Sequence, residues 1–169
     1  MIDIRLFIKD ILFLTFKTNL MKLPKEIYNG LIIFIGIGVY FLVMEILGLA
    51  GSTYLRLFNV LFVFYGTNRT LKSNFDEGKV VFVSNAVSAL ITSFVGVFLS
   101  ILGLVAYSYA MGGDSYVGSL SKTFLFGGNP SVMTYCISLF FEGIVSAILV
   151  TFILMLYWDT RFASDKHEA

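Results

Sequence analysis

Three ionisable side chains fall inside apolar stretches of this 169-residue sequence: Glu45, Arg56 and Glu142. A charge carried on a lipid-embedded helix is costly, so each is read first as a functional group. The chemistry on offer is the handling of a proton or a small cation. A carboxyl removed from water holds its proton more tightly, and a nearby cation releases it. Glu142 sits deepest along its stretch and is the expected proton- or cation-handling group, with Arg56 tuning it. Glu45 and Arg56 are separated by only ten residues and a tight turn, so those two also suit a plain salt bridge sharing one partly buried place. A third option pairs one of these charges with a different protein.

Few other residues suggest chemistry. The sequence has no H-E-x-x-H, C-x-x-C, G-x-S-x-G or P-loop, and no enzymatic activity is expected. Its lone Cys136 excludes an internal disulfide and a Cys-rich metal site, and reads as a small core residue. The single His167 lies in a polar tail, which leaves no histidine to ligate a haem within the helices. Neither a metal nor a cofactor is expected. The adjacent Asp76 and Glu77 offer a weak cation site or, more simply, two solvated charges. Aromatic residues are abundant, 18 Phe and 9 Tyr. Packing in lipid explains Phe58, Phe62 and Phe64 more simply than a quinone or pigment pocket.

The elements that position these residues are membrane helices. The chain is 57% hydrophobic and only 14% charged, with mean hydropathy +0.86, whereas soluble domains carry roughly 25% charged residues. Spans are expected at 28–49, 53–71, 80–110 and 131–158, giving an all-α integral membrane four-helix bundle over residues 26–158. Residues 1–25 form an expected amphipathic interfacial helix: Asp3, Asp10 and Lys17 recur every seven residues and share one face. Pro24 ends it. Residues 159–169 are a polar cytoplasmic tail. The early charges Asp3, Arg5, Lys9 and Asp10 do not fit a secretory signal.

Within this frame Gly30, Gly36 and Gly38 permit close helix approach, without forming a GxxxG dimer motif. The glycine-rich loop 111–130 is expected to end in Asn129 as N-cap and Pro130 at the first helical position. Tyr157 and Trp158 are placed as an interfacial aromatic anchor. Arg5, Lys9, Lys17, Lys22, Lys25, Arg69, Lys72, Lys79, Arg161 and Lys166 share one side, and only Arg56 and Lys122 lie toward the other. The positive-inside rule then puts both termini in the cytoplasm. The sequon Asn68-Arg69-Thr70 falls on that same side and is read as accidental.

The stretch YLRLFNVLFVFYGTNRTLKSNFDEGKVVFVSNAVSALITSFVGV, residues 54–97, resembles small four-span proteins of Bacteroidetes-type bacteria grouped as domain of unknown function 4199. In those, an apolar helix ends in a basic, glycine-containing loop and a long helix follows. The resemblance implies a bacterial inner-membrane setting and no chemistry, since that family has no assigned activity.

These features favour a non-catalytic inner-membrane protein, an accessory or stabilising subunit of a larger membrane complex. A homo-oligomeric small transporter or channel, with Glu142 lining the path, is the alternative. A lipid- or quinone-binding module is the third reading. The expected partners are the lipid bilayer and other membrane protein subunits. A net charge of +1 argues against nucleic acid.

Overall fold

The computed structural model describes residues 23–121 and 130–165. Along them run α1 (Lys25–Ile46), α2 (Thr53–Arg56), α3 (Asn59–Asp76), α4 (Phe82–Ala110), α5 (Asp114–Leu120) and α6 (Val132–Asp165), with no strand among the described residues. The expected amphipathic helix at 1–25 falls almost wholly outside them. Pro24 stands directly before α1, and its carbonyl accepts the N–H groups of Ile27 and Tyr28 at 3.0 Å each.

Three helices are long and apolar enough to cross a membrane: α1, α4 and the Val132–Arg161 part of α6. With 29 residues, α4 runs about 43 Å at ~1.5 Å per residue. That exceeds a hydrocarbon core of ~30 Å.

The remaining expected span, 53–71, takes another form. α2 and α3 are separate helices joined by a turn tightened to 3₁₀ geometry. The Leu57 N–H reaches the Tyr54 carbonyl at 3.2 Å, Phe58 reaches Leu55 at 3.2 Å and Val60 reaches Leu57 at 3.1 Å. The cause lies on α1, where the Tyr40 hydroxyl donates to the Leu55 carbonyl at 2.9 Å. A side chain inserted at a helical carbonyl interrupts the regular ladder. Beyond the turn α3 continues to Asp76 and is not one of the long apolar helices.

α3 is polar because its polar side chains face inward. Thr67, Thr70 and Asn74 are buried, as are Asn29 of α1 and Asn85, Thr92 and Ser93 of α4, while Ile35, Val39, Phe141 and Phe152 are more than half exposed. Soluble proteins show the reverse pattern. In lipid an outward apolar side chain costs nothing, and an inward hydroxyl or amide ties one helix to the next. Here Asn29 Nδ2 donates to Thr70 Oγ1 at 2.9 Å, and Thr70 Oγ1 lies 2.9 Å from Thr92 Oγ1. Thr67 and Ser93 share a hydrogen bond of 2.6 Å. Asn74 Nδ2 donates to Asn85 Oδ1 at 2.7 Å, and Asn85 Nδ2 donates to the Lys79 carbonyl at 2.7 Å.

These short bonds require backbones in close approach, and glycines permit it. Ile33 of α1 is fully buried against Gly66 of α3 and Gly96 of α4. A Cβ at Gly96 would lie 2.6 Å from both Cβ and Cγ2 of Ile33. Gly30 faces Val95 and Gly36 faces Phe62 in the same manner. Gly38, the third glycine of α1, has open space around it.

At the same end of the molecule Trp158 departs from the expected interfacial anchor. It is buried, its Nε1 donates to Asn68 Oδ1 at 2.9 Å, and its ring centroid lies 5.4 Å from that of Phe75. Only Tyr157 stays exposed, with the Arg161 guanidinium 4.9 Å from its ring centroid. The sequon residues are thus engaged, Asn68 with Trp158 and Thr70 in the core. The expected tail at 159–169 begins as a continuation of α6.

Glu77 is also paired. Its Oε2 accepts Lys25 Nζ at 2.7 Å and Lys79 Nζ at 2.8 Å, and Ser73 Oγ donates to Oε1 at 3.1 Å. Hydrogen bonds from Lys25 and then Lys79 hold its carboxyl at about 2, below the ordinary 4.5. The same pairing raises Lys79 above 10.5.

Gly96→Ala is expected to destabilise by about 1–3 kcal/mol through overpacking, seen as a lower Tm in detergent. Gly38→Ala, which meets nothing within 4 Å, is expected to lose no stability. The Glu77 contribution is present above pH 4.5 and is lost as pH falls toward about 2. The Tm gap between the native chain and Glu77→Gln should therefore narrow steadily as pH falls below 4.5; a constant gap would mean the ion cluster adds nothing.

Candidate functional site

Away from the hydroxyl-rich end, the helices enclose a cavity of about 280 Å³. Ile37 and Phe41 of α1, Val60 and Val63 of α3, Val97 and Leu104 of α4 and Leu139 of α6 supply apolar wall. Arg56, Asn59, Ser100, Tyr107, Tyr135, Glu142 and Ser146 supply polar groups. The α6 contribution follows from helical spacing: 135, 139, 142, 143 and 146 recur on one face. Gly143 lets α6 lie against Val97, where a Cβ would meet Val97 Cγ1 at 2.5 Å.

Two of the three predicted charges meet at this cavity. Arg56 is half-buried, and its Nη1 donates to the Tyr135 hydroxyl at 2.9 Å, with the guanidinium carbon 5.9 Å from the Tyr135 ring centroid. Tyr135 itself is buried. Glu142 belongs to the cavity wall yet is exposed, which puts it at the cavity's mouth. Glu45 is not one of the lining residues. Its carboxylate lies near enough to the Tyr116 hydroxyl of α5 to interact with it. Burial first, and then that carboxylate, push the Tyr116 phenol above its ordinary range. The expected tuning pair Arg56 and Glu142 therefore shares a cavity, whereas Glu45 associates with a tyrosine.

α5 roofs this end of the molecule. Its Val117 and Leu120 are buried in one cluster with Ala50, Val132, Tyr135 and Cys136, against which Phe41, Leu104 and Leu139 also pack. The last three are cavity wall as well. Gly112 and Gly113, both at positive φ, turn the chain from α4 into α5. The first residue of α5, Asp114, reaches across to α6, where its Oδ1 accepts the Val132 N–H at 2.8 Å. Ser131 Oγ accepts the Thr134 N–H at 3.3 Å. α6 is thus capped by Ser131 and Asp114 and starts at Val132, later than the expected start at Pro130. Asn129 lies outside the described residues.

Sequence reasoning weighed charges and so passed over Tyr135, Tyr107 and Asn59. One signal was available: Tyr135 and Glu142 are seven residues apart, hence on one helical face. Among the described residues no group of three His, Cys, Asp or Glu side chains could hold a metal ion. In comparisons with known proteins, no family model, no curated sequence and no solved structure matches this chain.

Tyr135→Phe removes the hydroxyl that accepts from a charged donor. A hydrogen bond of that kind contributes roughly 1.5–3 kcal/mol, and a matching fall in thermal stability in detergent is expected. An unchanged Tm would show that Arg56 draws its support elsewhere.

Proposed function

We propose that the chain is a non-catalytic, multi-pass bacterial inner-membrane protein that holds a lipid- or quinone-type molecule between its helices. The observation that carries this reading is the cavity: largely apolar walls, a few convergent polar groups, and a mouth marked by Glu142. Such a pocket is the usual form of a small-molecule site. α3 serves as the fourth span of the bundle, a reading supported by its packing against α1, α4 and α6. Both termini face the cytoplasm, supported by the ten-to-two distribution of basic residues. The resemblance over residues 54–97 agrees with the bacterial setting.

An accessory-subunit role, the first expectation from sequence, has no particular surface feature in its favour among the described residues. Exposed apolar faces such as Ile35, Val39, Phe141 and Phe152 are what lipid-facing helices present in any case. The transporter reading has one observation behind it, the place of Glu142 in the cavity wall. Flux into liposomes that vanished in Glu142→Gln would favour it.

The test of the binding reading is native mass spectrometry of the protein released from mild detergent. A small-molecule adduct is expected on the native chain. Ser146→Phe, which fills the cavity from α6, should abolish the adduct while leaving the helical content unchanged. Identical adduct spectra for the two proteins would sink the reading.

A further inference from the structure

We infer that the outward face of α3 holds an anionic phospholipid, with its phosphodiester at Arg69 and Lys72 and an acyl chain lying along the helix toward Leu57. This site is separate from the cavity and does not depend on a ligand there.

The fold fixes the depth of this face. The Arg69 guanidinium carbon lies 5.6 Å from the ring centroid of Tyr28, the fourth residue of α1. Asn68, next to Arg69, accepts from Trp158 at 2.9 Å, and Trp158 stands in the last turn of the apolar Val132–Arg161 stretch. Arg69 is therefore level with the ends of two long apolar helices. That is the level of lipid headgroups, where cations gain from anionic lipid.

The charges at this end sort into matched and unmatched ones. Lys25 and Lys79 are both bonded to Glu77, and Glu26 lies near enough to Lys79 to interact. Arg161 stands against the rings of Tyr157 and Trp158, and Asp159 on the same turn offsets its charge. Arg69 and Lys72 are different. They are exposed and three residues apart, hence neighbours on the helix surface. Among the described residues neither takes part in a hydrogen bond or an ion pair. Asp76 lies one turn beyond Lys72, on the side away from the apolar stripe, and no ion pair joins the two.

A phosphodiester suits this pair. A guanidinium presents a planar fork that matches two phosphate oxygens, and an aromatic ring beneath its face leaves the N–H edge available. A lysine ammonium adds a compact charge beside it.

The rest of the face selects a lipid over a free phosphate. Leu57, Leu61, Phe64 and Tyr65 are exposed and recur at helical spacing on the membrane side of Arg69. From Leu57 to Arg69 the rise is about 18 Å. Half a hydrocarbon core is ~15 Å and half a bilayer with its headgroups is ~21 Å. The apolar stripe and the cation pair thus have the dimensions of one lipid in one leaflet. A free phosphate would use the cations and ignore the stripe.

The experiment titrates the purified full chain in a neutral detergent with dioleoyl phosphatidylglycerol or dioleoyl phosphatidylcholine and counts bound lipid by native mass spectrometry. The native chain should hold one phosphatidylglycerol about tenfold more tightly than phosphatidylcholine, as two surface cations warrant. The double variant Arg69→Gln, Lys72→Gln should cut that preference to about twofold or less. The double variant Arg69→Lys, Lys72→Arg keeps both charges and should retain most of it, which separates lost charge from a folding defect. Arg161→Gln removes another exposed cation of this end and should change nothing. Millimolar glycerol 3-phosphate should not displace the lipid. Equal affinity of the native chain for both lipids overturns the inference. An equal loss in Arg161→Gln and in the glutamine double variant also overturns it, since diffuse charge then suffices. Displacement by glycerol 3-phosphate overturns the lipid in favour of a free phosphate. Ser146→Phe should leave the phosphatidylglycerol preference intact. If it abolishes that preference, the lipid sits in the cavity, so this inference falls while the cavity reading stands.

Discussion

The architecture depends on one contact: Ile33 of α1 seated between Gly66 of α3 and Gly96 of α4. Apolar side chains gain little by leaving lipid for another apolar surface, so helices associate through close packing and interhelical hydrogen bonds. A β-carbon at either glycine would occupy space already held by Ile33. With the glycines, three backbones converge, and only then do Asn29, Thr70 and Thr92 come within 2.9 Å of one another in sequence. The Thr67–Ser93 bond of 2.6 Å has the same requirement. Each such bond in a membrane contributes on the order of 0.6–2 kcal/mol, so the cluster matters as a set and the close approach makes the set possible.

The contact also divides the molecule. On one side lie the hydroxyls and amides, the Trp158–Asn68 bond and the Lys25–Glu77–Lys79 ion cluster. That end is closed by polar ties among all the long helices. On the other side the wall becomes aromatic and aliphatic, the glycines of α4 and α6 receive Phe34 and Val97, and the cavity opens. A fixed end and a hollow end on the same helices suit the holding of a ligand. The tied end keeps the helices in register, and the hollow end keeps its volume because α5 and its apolar cluster brace it from above.

The three long apolar helices were legible in the sequence to within a few residues at most boundaries, because hydrophobic length is a direct physical requirement of a bilayer. α3 was harder to read for a reason the fold explains. Thr67, Thr70 and Asn74 point inward, and a sliding hydropathy average counts them as though they faced water. Trp158 followed the statistical rule for helix ends in its sequence and broke it in space, because Asn68 and Phe75 draw it inward. The cap of α6 was misread by local pattern alone: Asp114, eighteen residues upstream of Val132, supplies one of the two bonds. Arg56 and Glu142 stand out by their charge, whereas their neighbours Tyr135 and Asn59 carry none and give no sign in the sequence that they line the same cavity.

Arg56 is a charge set in the wall of a largely apolar cavity. A buried ion pair is seldom a net source of stability, since desolvation offsets the attraction, and an apolar residue of similar volume generally does as well. Were packing the only demand at this position, a methionine or leucine would meet it among Phe41, Ala50 and Val60. Arg56 instead donates to the Tyr135 phenol at the cavity wall, while Glu45, the salt-bridge partner expected from sequence, lies by Tyr116. A guanidinium bonded to a tyrosine hydroxyl in this way gives the cavity wall a positive charge of fixed position.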